Sequence, residues 1–514
     1  MAYFMGIDAG TSGIKAVIMD EKGVIHGSGY SECDLITPRP GWVEQDPKDW
    51  WRACKEAVKK VSSGTGLGKQ IASIGFSGQM QGSTCLDKNY EPTGNCILWL
   101  DQRAVAEVEE YNRIIKVDDY IEITANRCLN SHWAPKLLWL KNNRREEFDR
   151  IHKVVFTKDY LIYKLTGEIA TEVSDASLSC LMDVPKRKWA DSLFEKLGIP
   201  RSFAPDRLLE SIDVVGNLKK DIADELGIAN GIPVIAGGGD QPAGGVGTGI
   251  IKSGIIGATI GTSGVVFGCL DEPLIDREDR AMYCMAHSVP GKFCFLGLVL
   301  TAGGSYKWLR DSIFTDKKVE MAAMGKDVYD HMSALAEKAP LGCEGLVFLP
   351  YLNGDKTPHS DENARGVFFG LSYRHGIGDI CRSVMEGVTF ALRDTIEIIR
   401  ETGQKVTEVR ANGGGAKSPL WRQIQADIFN ASIVTMNIEE GPAAGACIMA
   451  AVGQGHFASV EETCNAMLKK TGVTEPIPQN VAVYNEYYET YRDLYPVLKG
   501  LYKKQAVIVD KYVK

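Results

Sequence analysis

The tetrapeptide Gly-Thr-Ser-Gly occurs twice, as Gly10-Thr11-Ser12-Gly13 and Gly261-Thr262-Ser263-Gly264, each time between two apolar, β-branched runs. Such runs joined through glycine predict a β-hairpin, so residues 4–20 and 255–268 are each expected to form strand, tight turn and return strand. A turn of this kind directs main-chain N–H groups and two hydroxyls into one concavity, a nest suited to anions. A third glycine-rich stretch lies between the copies: Gly237-Gly238-Gly239-Asp240-Gln241-Pro242-Ala243-Gly244-Gly245. It follows the buried-strand pattern Ile232–Ala236, is expected to be a loop, and carries a single carboxylate, Asp240.

The intervening sequence alternates strand, polar loop and helix, which is α/β architecture, with ligands expected at strand C-termini. Residues 47–63 read as a helix with Pro47 in its first turn, and Ile71–Phe76 as a strand followed by the polar loop 77–82. A strand end is expected at Ile97–Arg103, an amphipathic helix after Ser131, and a surface helix ending at Gly227. Downstream, Thr301–Leu309 opens a helix whose first amides are free to meet phosphate. Strand 406–411 runs into Asn412-Gly413-Gly414-Gly415-Ala416-Lys417-Ser418, and Pro442–Ala446 is a small-residue helix suited to close packing. The stripe Tyr484, Tyr487, Tyr488, Tyr491, Leu494, Tyr495 has helical spacing and reads as core. A chain of 514 residues calls for two or three domains, with a boundary near residue 247.

Several functions are excluded. A net charge of −8 without long runs gives no footprint for nucleic acid or an anionic membrane, and no apolar stretch is long enough to span one. Thirteen cysteines, an odd number without a Cys-x-x-Cys pair, predict buried free thiols and a cytoplasmic setting. Gly64–Lys69 imitates a P-loop, but Gln70 stands where a magnesium-binding hydroxyl is needed. Asp240 would place a negative charge in the pyrophosphate turn of a dinucleotide fold. The histidines, among them His132, His287 and His359, lack metal-ligand spacing.

Two donor-rich turns and two carboxylates suit phosphoryl transfer, which needs donors around the phosphates, magnesium, and a carboxylate to deprotonate an attacking hydroxyl. Asp8, at a strand end beside the first turn, is placed to hold hydrated magnesium; the alternative is a turn-stabilising side chain. Asp240 is the candidate base, the alternative being a helix N-cap.

Together the two hairpins, the Gly-Gly-Gly-Asp-Gln stretch, Asn412–Ser418, and Gly366–Leu371 followed by Asp379 and Glu386 resemble the FGGY carbohydrate kinases over essentially the whole chain. Gly41–Pro47, Gly78-Gln79-Met80, Phe348–Leu352 and Lys356-Thr357-Pro358-His359 resemble the ketopentose-phosphorylating branch. The resemblance implies a two-domain actin/Hsp70-type ATPase fold (ribonuclease H-like) with a central cleft. Residues 1–247 would bind sugar and supply the base, and 248–514 would bind nucleotide. It implies ATP and Mg²⁺, transfer to a terminal hydroxyl of a ketopentose, D-xylulose foremost, and a homodimer. Another ketose or polyol is the alternative acceptor, and an actin-like ATPase without acceptor the alternative class.

Carried over by motif, Asp240 is the base and Asp8 serves magnesium. Thr11, Ser12, Gly261 and Thr262 face the phosphates, Gly303 and Lys307 line the nucleotide site, and Gly414, Gly415 and Ser418 lie near adenosine. Sugar contacts fall on Met80, Gln81, Trp99, Asp101, Asp240 and Gln241. Three positions depart from the branch pattern: Gln81 where histidine is usual, Leu100-Asp101 where Asn-Asp is usual, and Trp133 where a small hydroxyl residue is usual. All three fall at the expected sugar end and predict a modified pocket, with Trp133 offering a stacking face.

Overall fold

A computed structural model describes residues 1–438 and 441–513. Its chain forms two lobes, each built on a mixed seven-stranded sheet. In the first sheet the order is Ile25–Glu32, Gly13–Asp20, Tyr3–Ala9, Ile71–Gly78, Pro233–Ile235, Val214–Asn217, with Gly238–Gly239 added beside Ile71–Gly78. Neighbours along it pair antiparallel, antiparallel, parallel, parallel, antiparallel. The second sheet repeats this pattern through Phe293–Val299, Gly264–Leu270, Ile255–Ile260, Glu408–Gly413, Ser432–Met436 and Lys470–Thr474, with Tyr283–Ala286 added at one edge. Both Gly-Thr-Ser-Gly segments are the turns expected of them. This duplicated topology is the actin/Hsp70-type ATPase fold.

The first sheet is covered on one face by the helix Pro47–Thr65, which buries Trp50, Ala53, Cys54, Ala57, Val58 and Val61. Asp46 caps it and Gly66, at φ 69°, ends it. The other face receives the small-residue helix Gly441–Gly453 from the second half of the chain. A Cβ on Gly6 would meet the Ala443 carbonyl oxygen at 2.0 Å, and one on Gly75 the Ala446 oxygen at 2.1 Å. The same helix crosses Asp240–Gly247, where a Cβ on Gly247 would lie 1.9 Å from the Gly441 oxygen. Side chains there would force the elements apart, so glycine sets the distance between them.

Residues between Gly78 and Val214 form an inserted, mainly helical region with its own core around Trp133, Tyr111, Tyr120 and Phe156. It touches the second lobe through Asn126, whose side-chain oxygen accepts from the Cys284 N–H (3.0 Å) and whose amide donates to the Cys284 carbonyl (2.6 Å). Ser177 Oγ accepts from the Ala286 N–H (2.9 Å) at the same edge.

Four expectations need correction. The glycine-rich stretch is not a loop beyond Gly239, because Asp240–Gly247 is a helix whose glycines fit against Gly441 and Phe267; close packing overrides weak propensity. The strand end at 97–103 shrinks to Cys96–Ile97, which pairs with Glu44–Gln45 outside both main sheets. The helix Trp133–Asn143 is not amphipathic, since every residue from Trp133 to Leu140 is buried. Strand 406–411 lies two residues later, at Glu408–Gly413, in register with Ile255–Ile260. The tyrosine stripe packs on the second lobe within the helix Pro478–Tyr512, and all thirteen cysteines are free and buried. Among the described residues no helix is long and apolar enough to cross a membrane.

Candidate active site

The two carboxylates meet through strand register. Parallel to Ile71–Gly78 on one side runs Tyr3–Ala9, with Asp8 opposite Ser77; on the other side Gly238 stands opposite Ser77 and Gly239 opposite Gly78. Asp8 and Asp240 therefore flank the same strand end. Ser77 Oγ donates to Asp8 Oδ1 (2.9 Å), and Lys15 stands across the hairpin from Asp8. The turn into Asp240 needs glycine: Gly237 has φ 73°, and a Cβ there would lie 2.0 Å from the Phe76 carbonyl oxygen. Burial first, and the negative charge of Asp8 second, push the Asp240 carboxyl up to about 7, while Gln241 donates to it from main chain and side chain. A carboxyl poised near neutrality can accept a proton from a hydroxyl and give it up again.

Behind this pair lies a buried ionic cluster that the motifs did not reveal. Lys158 Nζ is bonded to Asp159 (2.7 Å), Asp175 (2.9 Å) and Glu172 (3.3 Å), all fully inside the protein. Ser174 Oγ donates to Glu172 (2.8 Å) and accepts from the Gly239 N–H (3.0 Å), so the cluster holds the residue preceding Asp240. The available signal was a lysine and an aspartate inside the apolar run Val154–Leu161.

The first Gly-Thr-Ser-Gly turn is braced by a ring of side chains. Thr11 Oγ1 donates to Gln79 Oε1 (3.0 Å), Gln79 Nε2 to Gln45 Oε1 (2.8 Å), and Gln45 Nε2 back to the Thr11 carbonyl (2.8 Å). Trp50 and Trp99 join through their indole N–H groups, to Gln45 and to Thr11 Oγ1, each at 3.0 Å. The Thr11 proton is therefore committed to Gln79, leaving main-chain N–H groups and the exposed Ser12 hydroxyl for an anion.

On the second lobe Gly261, Thr262, Gly303, Lys307, Gly414, Gly415 and Ser418 line one cavity of about 640 Å³, at the C-terminal ends of strands Ile255–Ile260 and Glu408–Gly413. Glycine lets its walls close together: a Cβ on Gly303 would meet the Gly261 oxygen at 2.4 Å, and one on Gly415 would meet Ile260 Cβ at 2.8 Å. The Thr262 carbonyl accepts from Ala302 and Gly304 N–H at the start of the helix Gly303–Ile313. Ser418 caps the helix Pro419–Phe429. The helix Val328–Glu337, which sequence reading passed over, supplies Asp330, Ser333 and Glu337 to the opposite wall.

The sugar-end residues divide. Met80 packs under Gly239, and Trp99 reaches Thr11. Gln81 is buried in a left-handed conformation (φ 67°), its carbonyl held by Lys136 Nζ (2.9 Å), which also donates to the Ile97 carbonyl (3.1 Å). Burial pushes the Lys136 ammonium down to about 7. Asp101 is ion-paired with Arg103 (2.7 Å) and accepts from the Val43 and Arg103 N–H groups. Trp133 does not offer a stacking face to a ligand. It is 1 % exposed, stacked on Phe156 at 4.0 Å, with Trp189 at 6.3 Å, and donates to the Gly82 carbonyl. Its bulk fills the inserted region's core.

A nucleotide-sized cavity on one lobe and a carboxylate poised near neutrality on the other, in a fold whose lobes enclose a cleft, define an ATP-dependent phosphotransferase for hydroxylated small molecules. Comparison with known proteins narrows the class. Residues 3–247 match the N-terminal domain, and 257–454 the C-terminal domain, of the FGGY family of carbohydrate kinases. The chain belongs to this family and is an ATP-dependent sugar kinase. It is 36% identical over 499 residues to a xylulose kinase of Staphylococcus epidermidis, covering 97% of both chains. Among solved structures it resembles ligand-bound xylulose kinase from Lactobacillus acidophilus (TM-score 0.89, 28% identity, 98% of this chain and 100% of that one). It resembles gluconate kinase from the same organism equally well (TM-score 0.89, 28% identity, 98% and 99%).

Proposed function

We propose that this kinase transfers the γ-phosphoryl group of ATP to the terminal hydroxyl of a ketopentose, D-xylulose foremost, with Asp240 as general base. The observation that carries the chemistry is the placement of Asp240 beside Asp8 at one strand end, where burial first and the Asp8 charge second keep it basic enough to take the hydroxyl proton. Full-length similarity to xylulose kinases supports the choice of sugar. The terminal hydroxyl gives its proton to Asp240 as its oxygen attacks phosphorus, and the bond from phosphorus to the β-phosphate oxygen breaks, leaving ADP. Main-chain N–H groups of the two Gly-Thr-Ser-Gly turns stabilise charge on the transferring group, and the positive end of the helix Gly303–Ile313 adds to them. Gly303, Lys307, Gly414, Gly415 and Ser418 hold the nucleotide, while Met80, Gln81, Trp99 and Gln241 bound the sugar.

Magnesium fits beside Asp8. Two adjacent carboxylates raise the cost of ionising Asp240, and a hydrated divalent cation would relieve it while neutralising phosphate charge. Among the described residues no group of three metal-binding side chains occurs, and magnesium held through water and phosphate needs only one or two. The division of labour falls near residue 247, with base and sugar before it and nucleotide after. A cytoplasmic homodimer completes the reading.

The acceptor is tested by ADP release with D-xylulose, D-ribulose, D-gluconate and alditols. D-xylulose is expected to give the highest kcat/KM by about tenfold. Faster turnover with D-gluconate or an alditol would replace the acceptor and leave the kinase chemistry standing. ATP turnover that no sugar accelerates would overturn both.

A further inference from the structure

In the inserted region the helices Val117–Thr124 and Trp133–Asn143 are joined by a loop whose Cys128 is buried against Cys180, just past the turn Ser177–Ser179. His132, at the end of that loop, is fully buried and sets Nδ1 3.0 Å from Cys180 Sγ, while its Nε2 has no partner. Two tyrosines fix the backbone at both cysteines. The Tyr111 hydroxyl donates to the Cys180 carbonyl (3.1 Å), and the Tyr120 hydroxyl accepts from the Cys128 N–H (3.1 Å).

Three donors converge on Cys180 Sγ: the Cys128 S–H, His132 Nδ1, and the Leu129 N–H, which also lies 3.2 Å from Nδ1. Burial by itself would raise the Cys180 thiol; the Cys128 hydrogen bond, the His132 charge and donor, and the Leu129 N–H overcome it and hold the thiol down to about 5. In each of the chain's other cysteines burial comes first and pushes the thiol up. One thiolate therefore rests against one protonated thiol, the arrangement of an attacking and a resolving cysteine. A metal is not the reason for the cluster, since among the described residues no three such side chains are placed to hold one.

We propose that Cys180 and Cys128 are a peroxide-sensitive pair that closes to a disulfide and slows the kinase. The Cys180 thiolate attacks one oxygen of hydrogen peroxide; the S–O bond of a sulfenic acid forms as the O–O bond breaks, and the departing hydroxide takes the proton held by His132. The Cys128 sulfur then attacks the Cys180 sulfur. The S–S bond forms, and the hydroxyl leaves as water with the Cys128 proton. Two thiols lose two electrons in all, and the peroxide becomes two waters. A cavity of about 50 Å³, lined by Arg127 and Leu129 on either side of Cys128, has room for a molecule of that size. The bridge joins the two segments of the inserted region that bond the edge strand of the second lobe, Asn126 at Cys284 and Ser177 at Ala286. Movement between the lobes is restrained through those contacts, and turnover falls.

Treating the full-length kinase with hydrogen peroxide tests this. Wild type is expected to yield peptides joined through Cys128 and Cys180, read by mass spectrometry, and to phosphorylate sugar at least about fivefold more slowly until a dithiol reverses both changes. In Cys128→Ser, folded by circular dichroism, Cys180 is expected to stop at the sulfenic acid, trapped by dimedone on unfolding. Cys180→Ser is expected to keep its untreated turnover under the same peroxide. The wild-type peptide map decides the pairing without either variant. A bridge between other cysteines, Cys128 and Cys180 left unjoined, a bridge that leaves turnover unchanged, or slowing that persists in Cys180→Ser would each overturn the proposal.

Discussion

The two Gly-Thr-Ser-Gly hairpins share a sequence, a strand pattern and a place in their sheets, yet they are used differently. In the first lobe the turn is tied into a ring with Gln79 and Gln45, and the adjoining strand ends carry Asp8 and Asp240. In the second lobe Thr262 lies on the wall of an open cavity that Gly303, Gly414 and Gly415 also line. One topology thus yields a rigid, acid-bearing half and an open, glycine-walled half. What differs is the set of residues at the C-terminal ends of corresponding strands, which is where an α/β sheet places its chemistry.

The sharpest way to break the comparison is to remove the acid. Asp240→Asn should lower kcat by about 10²-fold or more while ATP still binds the other lobe. The same substitution should stabilise the fold at alkaline pH. A carboxyl raised from the ordinary range near 4 to about 7 costs stability when ionised above pH 7 and costs nothing below pH 4. The gain, about 1–3 kcal/mol in urea unfolding at pH 8, should vanish at pH 4. In the wild type, kcat/KM for the sugar should fall toward tenfold per pH unit once the pH drops below the pKa of Asp240, which burial and Asp8 raise and bound magnesium lowers again.

Gly415→Ala probes the open half. Its methyl group meets Ile260, and KM for ATP should rise about tenfold, roughly 1.4 kcal/mol, with the sugar's KM unchanged. Gln79→Ala probes the rigid half: it strands Gln45 and Thr11, and should cost about 1–3 kcal/mol of stability, with kcat lowered several-fold as the first turn loosens. Trp133→Phe should have the smallest effect. It loses the bond to the Gly82 carbonyl, about 1 kcal/mol, and leaves the sugar's KM within about twofold. A larger shift in KM would return Trp133 to the pocket.

Much of this was legible in the sequence because glycine and hydroxyl residues mark tight turns regardless of context. Both hairpins and the Pro47 helix followed from local pattern, whereas the assignment of Gly303, Lys307, Gly414, Gly415 and Ser418 to the second-lobe site came from the family resemblance. What escaped notice depends on distant partners. Trp133 looked like a ligand platform because nothing local shows Phe156 and Trp189 stacked beside it. Asp240 lay in a stretch of glycines that only a helix contributed by residues 441–453 could make helical. Lys158, Asp159, Glu172 and Asp175 are unremarkable one by one and become a cluster only when folded.

The central claim, that one lobe supplies the base and the other the phosphoryl donor, is tested most directly by a crystal structure with D-xylulose and a non-hydrolysable ATP analogue bound together. An Asp240 carboxylate oxygen is expected about 2.6–3.2 Å from the terminal hydroxyl, with the triphosphate running from the cavity at Gly261 and Gly303 toward that same oxygen. A sugar whose terminal hydroxyl is held by another residue, or a triphosphate that leaves the cavity away from Asp240, would contradict it.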